Sequence, residues 1–223
     1  MKLIRHISIC VALMLLSGPL IHAQDLSKYR QFSLGASLAE VSKQIEQRPD
    51  NASMIQQRPA TIQQMEWWPV PLSLFAKSEP VQKVTLSFYN RTLYKVEVTY
   101  DSDATAGLTA ADMIGAISAS YGTATKVTDD VAPHSGATYG AAEPAVAQWE
   151  DGRYSVTLSR DSFLSTFQLI VVSRQLNVQA EASVVEAAKQ ERENAPQNEI
   201  ARGKKAADDL ETERQTNLKA FRP

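Results

Sequence analysis

The segment from Val81 to Tyr100 constrains the fold of this chain more than any other stretch. Its two runs are rich in Val, Thr, Tyr and Phe, residue types that favour β-strands, and the polar break Asn90-Arg91-Thr92 separates them. A strand, a turn and a strand in immediate succession are typical of a β-hairpin. The chain is therefore expected to build its core on an antiparallel sheet.

The alternation of side chains predicts the register of this hairpin. Residues opposite each other in an antiparallel pair lie on the same face of the sheet, so burying both apolar sets together pairs Phe88 with Tyr94 and Leu86 with Val96. This register leaves residues 90–92 as a three-residue loop. The opposite face is then polar, which predicts a sheet with one covered and one solvent-exposed side. The residues of that polar face are Thr85, Ser87, Lys95, Glu97 and Thr99.

Two segments carry the pattern of a short amphipathic helix with a capped N-terminus. Residues 35–47 combine the capping-box pair Ser37 and Glu40 with apolar residues at helical spacing. Residues 109–122 repeat this arrangement with Thr109 and Asp112, and end on a glycine where a C-cap glycine is expected. Each segment is therefore predicted to form a helix with one buried face.

Further strands are predicted before the first hairpin and after the second helix. They cover residues 61–68, 125–128, 145–160 and 167–173, and the third of these segments reads as a second hairpin. Its Asp151-Gly152 pair suits a two-residue type I′ turn. This turn predicts that Trp149 lies opposite Tyr154.

The order of these elements predicts an α+β fold in which two helices cover one face of an antiparallel sheet. Because a capped helix followed by strands occurs twice, a tandem repeat is expected, with residues 24–103 as the first unit and residues 104–175 as the second. The alternative is one continuous α+β domain in which the two capped helices are coincidental. Both alternatives predict a covered and an open side of the sheet.

Residues 176–223 form a tail of different composition. Ala, Glu, Gln, Lys and Arg dominate it, so it favours helix but has few large apolar side chains to bury. Pro196 and Gly203 are expected to divide it. It is interpreted either as an exposed helical or disordered tail, or as a segment that orders on a partner. The apolar residues available for a partner are Val184, Val185, Ala188, Leu210, Leu218 and Phe221.

The first 23 residues have the pattern of a secretory signal peptide. Lys2 and Arg5 precede an apolar run, and a cut is expected after Ala23. The alternative is a membrane anchor, although the run is shorter than the roughly 20 residues that a span needs. Cleavage would leave 21 basic and 25 acidic side chains, a net charge of −4 that does not favour nucleic-acid binding. The protein is therefore expected to be periplasmic or secreted, with no membrane span after cleavage.

Cysteine and histidine are almost absent from the expected mature chain. Cys10 lies within the signal peptide, and His134 is the one histidine after residue 23. Nucleophile systems built on Cys and His or on Ser, His and Asp, and metal sites with several histidines, are therefore excluded or reduced to one residue. We predict no catalytic, cofactor or metal residues and expect that the protein is not an enzyme.

The run Trp67-Trp68-Pro69-Val70 is the clearest candidate for contact with a partner. Adjacent residues of an extended segment point to opposite faces, so the core cannot easily take both tryptophans. An exposed tryptophan beside prolines suits protein or ligand contact. Trp67, Trp68 and Val70 are the predicted contact residues, and the alternative is that the loop folds over and buries them.

Several short segments resemble a known family. LGASLAEVSKQI and GLTAADMIGAISASYG are similar to the Gly-x-Thr-x-x-x-Val start of the SmpA/BamE family, and FYNRTL and WEDGRY resemble the F-x-x-G-x-L turn of its strands. The tandem order over residues 32–174 also resembles the beta-lactamase-inhibitor-protein fold, which is built from two helix-plus-sheet repeats. The resemblance implies a binding or scaffolding module of the cell envelope. Lipidation, which occurs in the outer-membrane-assembly branch, is not implied because the chain lacks a suitably placed cysteine.

These observations predict a secreted, non-enzymatic module that binds or scaffolds another protein of the cell envelope. The predicted contact surfaces are the polar sheet face, the Trp67-Trp68 segment and the tail. The alternative is a small-ligand carrier or a carboxylate-based enzyme whose site lies under a loop at residues 129–144. The carboxylates considered for that site, or for calcium, are Asp101, Asp103, Asp129, Asp130 and Glu143.

Overall fold

The structure is a computed structural model that describes residues 25–69, 79–128, 145–160 and 166–222. The signal-peptide region, Val70 and the loop at residues 129–144 lie outside the described residues. The helices are α1 (Leu38–Gln44), α2 (Ala110–Tyr121) and α3 (Arg174–Ala220), and a 3₁₀ turn covers Pro49–Asn51. The strands are β1 (Lys28–Tyr29), β2 (Phe32–Ser33), β3 (Ser53–Gln56), β4 (Ile62–Trp67), β5 (Val81–Tyr89), β6 (Thr92–Tyr100), β7 (Lys126–Val127), β8 (Ala145–Glu150), β9 (Tyr154–Arg160) and β10 (Phe167–Ser173).

The fold is α+β, as predicted, with an antiparallel sheet and a long C-terminal helix. Eight strands form the sheet in the order β3-β4-β5-β6-β10-β9-β8-β7, and every pairing is antiparallel. Strands β1 and β2 form a separate two-stranded hairpin ahead of α1. Helices α1 and α2 each precede four consecutive strands, and the two sets of four meet where β6 pairs with β10. The predicted boundaries at residues 103 and 175 stay predictions.

Both predicted helix caps are confirmed. At α1, the Ser37 hydroxyl accepts a hydrogen bond from the Glu40 N–H at 3.2 Å, and the Glu40 carboxylate accepts one from the Ser37 N–H at 2.7 Å. At α2, Thr109 and Asp112 make the same reciprocal pair at 3.2 and 2.9 Å. Each box satisfies two backbone donors that a helix N-terminus leaves without an intrahelical partner, so the start of each helix is fixed locally.

One large apolar cluster contains residues of α1, α2 and the strands. Leu38 and Val41 come from α1, and Met113 and Ile117 come from α2. The strands contribute alternate positions, because successive side chains of a strand point to opposite faces. Fully buried side chains of the cluster include Trp149, Phe32, Phe88, Phe167, Leu86 and Leu158. We call the sheet face that carries Val84, Leu86 and Phe88 the inner face, and the opposite face, with Thr85 and Ser87, the outer face.

The predicted register of the β5–β6 hairpin is right for the pair Leu86 and Val96 and wrong next to the turn. The loop has two residues, Asn90 and Arg91, whose φ angles of 47° and 66° match a type I′ turn. Phe88 therefore lies opposite Leu93 rather than Tyr94.

A β-bulge at Tyr94 follows this turn. The register shifts between two neighbouring residues of β5. Phe88 lies opposite Leu93, whereas Ser87 lies opposite Lys95, so Tyr94 is the extra residue on β6. From there on, Val96 lies opposite Leu86. Without the extra residue, Lys95 would oppose Leu86 on the inner face. The bulge turns Tyr94 to the outer face and keeps the lysine out of the core, because a one-residue slip exchanges the two faces of a strand.

The predicted pairing of the second hairpin is also corrected. Trp149 lies opposite Val156, not Tyr154. The Asp151 carboxylate accepts hydrogen bonds from the N–H groups of Arg153 and Tyr154, each at 2.6 Å. Asp151 is therefore the first residue of the turn and not one of its two central residues. This difference shifts the strand pairing by two residues. Because side chains alternate with a period of two, each side chain stays on its predicted face.

Helix α3 is continuous over 47 residues, about 70 Å at 1.5 Å per residue, although Pro196 and Gly203 were expected to divide it. Strong helix formers surround both residues, and this part of the helix is exposed, so solvent can hydrate the carbonyl group that proline leaves unpaired. Near its start, Ala180 packs with Ile62 and Tyr94 on the outer face. Of the helices described, none combines the length and the apolarity that crossing a membrane requires.

Candidate functional site

The two adjacent tryptophans at the end of β4 point in different directions. Trp67 is half-buried and packs edge-on against Phe32, with ring centroids 5.3 Å apart and an angle of 77° between the ring planes. Trp68 is 54% exposed. The alternation along β4 accounts for this difference: Met65 and Trp67 join the main core, whereas Gln64 and Glu66 lie on the outer face with Trp68 next in line.

Polar side chains follow β4 and β5 on the outer face that leads to Trp68. The Lys83 ammonium lies 3.1 Å from the Glu66 carboxylate, on the strand next to β4. The amide of Gln64 donates to the Ser87 hydroxyl at 3.3 Å. Both groups of the ion pair are substantially exposed, so the pair contributes about 0–1 kcal/mol to stability. The pair joins Glu66, two residues before Trp68, to the neighbouring strand β5.

Helix α3 covers a different part of the outer face. Ala180 packs on Ile62 and Tyr94, and the Gln56 side chain donates to the Ser183 hydroxyl at 3.0 Å. Ile62 and Trp68 are six residues apart on an extended strand, which places them about 20 Å from each other. The docked part of α3 therefore lies away from Trp68.

The outer face also carries a buried phenol and a second ion pair. Burial raises the pKa of the Tyr94 hydroxyl, so this group stays a neutral hydrogen-bonding group at physiological pH. Lys95 and Glu97 form an ion pair at 3.1 Å along the same strand. Fixed charges, hydroxyl groups and one exposed indole can bind a complementary surface.

The predicted carboxylate sites fall into two groups. Asp101 accepts hydrogen bonds from the N–H groups of Asp103 and Ala104, at 3.0 and 2.9 Å, so its carboxylate closes the turn after β6. Asp129, Asp130 and Glu143 lie outside the described residues, as does His134. Over the four described ranges, no three His, Cys, Asp or Glu residues are grouped in a way that could hold a metal ion.

A cavity between the β1–β2 hairpin and α2 is a candidate site that the sequence did not predict. There the Tyr121 hydroxyl donates to the Lys28 carbonyl oxygen at 2.6 Å, across 93 positions of the chain. The sequence indicates only that Tyr121 belongs to an apolar helix stripe. No local pattern could place it beside Lys28, because the contact depends on how distant elements pack.

Comparisons of the chain with known protein families, with curated proteins and with solved structures give no match. The geometry of the described residues is therefore the basis for a functional assignment.

Proposed function

We propose that this protein is a secreted, non-enzymatic module that binds another protein of the cell envelope through the outer face of its sheet around Trp68. The observation that carries this proposal is the 54% exposure of Trp68 at the end of a strand whose neighbouring tryptophan packs into the core. A large aromatic side chain contributes more to a protein interface than most residue types, because it buries much area at low conformational cost.

The surroundings of Trp68 support this role. Glu66 precedes Trp68 by two residues on the same face, and Lys83 lies on the neighbouring strand next to this position, with their ion pair already made within the chain. Protein interfaces commonly have an apolar centre and a polar rim. A partner could therefore bury the indole without first reorganising the charged groups around it.

The proposed scaffold is a tandem repeat, with α1 and α2 covering the inner face. The support is the occurrence, twice along the chain, of a capped helix followed by four antiparallel strands, and the membership of both helices in the main core cluster. Such a scaffold leaves the part of the outer face around Trp68 available for a partner, because α3 packs on the part around Ile62 and Tyr94. A relation to the SmpA/BamE family or to the beta-lactamase-inhibitor-protein fold is part of this proposal, and so is a periplasmic or secreted location after cleavage of residues 1–23.

The experiment introduces a photoreactive benzoylphenylalanine at position 68 in the secreted protein and identifies cross-linked partners from the envelope of the source organism. The purified partner is then titrated against the wild type, Trp68→Ala and Met54→Ala. Met54 is the matched control, because it is 52% exposed on β3 at the edge of the sheet. We expect Trp68→Ala to weaken binding at least tenfold, about 1.4 kcal/mol, while Met54→Ala binds as the wild type does.

Equal binding by all three proteins would refute the role of Trp68. A chain that ends after Ala188 separates this surface from the tail, since it keeps the buried residues Ala180 and Ser183 and removes the exposed remainder of α3. Binding is expected to survive this truncation. Its loss would assign the contact to residues 189–223 instead.

A further inference from the structure

A cavity of about 580 Å³ lies on the side of the molecule where the β1–β2 hairpin meets α2. Tyr29 and Arg30 from the hairpin, Tyr100 from the end of β6, and Leu169 from β10 contribute to its wall. Its volume is within the roughly 300–1,000 Å³ of ligand pockets in proteins. The cavity is separate from Trp68, so a ligand bound in it would be independent of the proposed function.

The composition of α2 explains why space remains at this position. Met113 and Ile117 are buried and form an apolar wall together with Leu169. Ala116 and Ser120, one helical turn apart, line the same cavity but are too small to fill it. Both positions are exposed, so the cavity is open to solvent along this side of α2.

Arg30 lines this cavity, and two neighbouring side chains hold its guanidinium in place. The Arg30 guanidinium lies 5.7 Å from the centre of the Tyr29 ring and donates to the Glu79 carboxylate at 2.6 Å. A guanidinium has five N–H donors, and among the described residues those of Arg30 reach the Glu79 carboxylate and the Tyr29 hydroxyl. The remaining donors of Arg30 are therefore available to a ligand, and its orientation is already fixed from two sides.

Neutral hydroxyl groups lie beside this guanidinium. Burial raises the pKa of both Tyr29 and Tyr100, so these phenols remain protonated at physiological pH. Lys28 pairs with Asp25 at 3.1 Å and Arg30 pairs with Glu79 at 2.6 Å, so these four charges balance and a ligand carboxylate would share the guanidinium with Glu79. The lining of the cavity thus combines apolar side chains with an arginine and two neutral phenols.

We infer that this cavity binds an apolar small molecule with a single carboxylate, such as a medium-chain fatty acid. The alkyl chain would lie between Met113, Ile117 and Leu169. The carboxylate would accept hydrogen bonds from Arg30, whose planar guanidinium suits a carboxylate better than a point charge does.

The test measures binding of decanoate and 1-decanol to the full secreted chain by isothermal titration calorimetry. Ala116→Phe fills the cavity from an exposed position of α2 without removing any core side chain, and Ala119→Phe is its matched control on the same helix, outside the cavity lining. We expect decanoate to bind the wild type and Ala119→Phe at one site, and Ala116→Phe at least tenfold more weakly. Ser120→Phe is a second filling variant if the first disturbs folding, which circular dichroism would show.

The role of Arg30 is tested separately with Arg30→Gln. This variant is expected to bind decanoate at least tenfold more weakly and 1-decanol as the wild type does. The inference is overturned if decanoate does not bind, or if it binds Ala116→Phe and Ala119→Phe equally well. Equal binding of decanoate and 1-decanol by the wild type would overturn the assignment of a carboxylate.

Discussion

The two faces of the same sheet differ sharply in chemistry. The inner face is built from side chains such as Val84, Leu86 and Val96, which are completely removed from solvent. The outer face carries hydroxyl groups, amides and ion pairs, and α3 packs on it through a small cluster centred on Ile62, Tyr94 and Ala180. The inner face therefore supplies most of the apolar burial that stabilises the fold, whereas the outer face is more polar.

The same difference appears within α3. Its first turns touch the sheet, whereas the side chains beyond residue 190 are almost all exposed. A solvated helix of this length depends on propensity and on local pairs such as Glu211 with Arg214, 2.8 Å apart. The docked part is held by tertiary packing, so the two parts should respond differently to mutation.

The largest expected effect contrasts neighbouring residues on the two faces. Leu86→Ala creates a cavity in the fully buried inner face and should lower the free energy of unfolding by about 2–5 kcal/mol. Thr85→Ala, its neighbour on the outer face, should change it by about 0.5 kcal/mol or less. Urea denaturation followed by tryptophan fluorescence measures both values. Equal losses in the two variants would show that the outer face is as important for stability as the inner one.

The next effect is confined to the exposed part of α3. Pro196→Ala restores a backbone hydrogen-bond donor within the helix and should stabilise this segment by about 3 kcal/mol, seen as more helical signal in far-UV circular dichroism. Gly203→Ala should stabilise the same segment by a smaller amount, about 1 kcal/mol. Neither change should move the fluorescence-detected unfolding of the sheet. A parallel shift of both transitions would mean that the exposed helix and the core unfold as one unit.

A smaller effect is expected where α3 meets the sheet. Ala180 is 2% exposed, so Ala180→Glu introduces a charge into the contact with Tyr94 and should cost about 1–3 kcal/mol. Hydrogen exchange should show lost protection at residues 174–183 while the strands of the core stay protected. Val178→Glu is the control, since Val178 is 64% exposed on the same turns of the helix. Similar exchange in both variants would contradict the docked arrangement.

The smallest effect concerns the caps of the helices in the main core. Hydrogen bonds from the Ser37 N–H and hydroxyl lower the pKa of Glu40 below its ordinary value, so the native state favours the charged form. The charged cap therefore adds to the free energy of unfolding at pH values above the pKa of Glu40 in the unfolded chain. This addition disappears as the pH falls through the lower pKa of Glu40 in the native protein. The stability difference between the wild type and Glu40→Gln should therefore shrink below about pH 4. Urea titrations between pH 6 and 2 measure it, and a difference that does not depend on pH would exclude a charged cap.

The sequence predicted elements that depend on neighbours in the chain. The capping pairs at Ser37 and Thr109 were identifiable because their partners lie three residues away. The last strand, 167–173, could be recognised from its run of apolar residues. The β1–β2 hairpin was missed, since strands of two residues are too short to show an alternating pattern.

Features that depend on distant contacts were not predictable. Alternation indicates which residues share a face, but it does not reveal that the bulge at Tyr94 corrects the register after a two-residue turn. The incorrect pairing of Phe88 with Tyr94 agreed with the alternation of apolar and polar residues as well as the observed pairing does. Only packing against Ile62 and Ala180 shows why Tyr94 points outward.

The sequence by itself determined the helix caps and the positions of the two hairpins, but not their full register, and it left open whether a tryptophan of Trp67-Trp68 is exposed. The tertiary structure decided the strand order, the docking of α3 and the cavity beside Arg30, which bring together residues separated by many positions along the chain. The physical reason is the range of the interactions. Capping and alternation act over a few residues and leave a pattern, whereas packing between distant segments is set by their shape and leaves none.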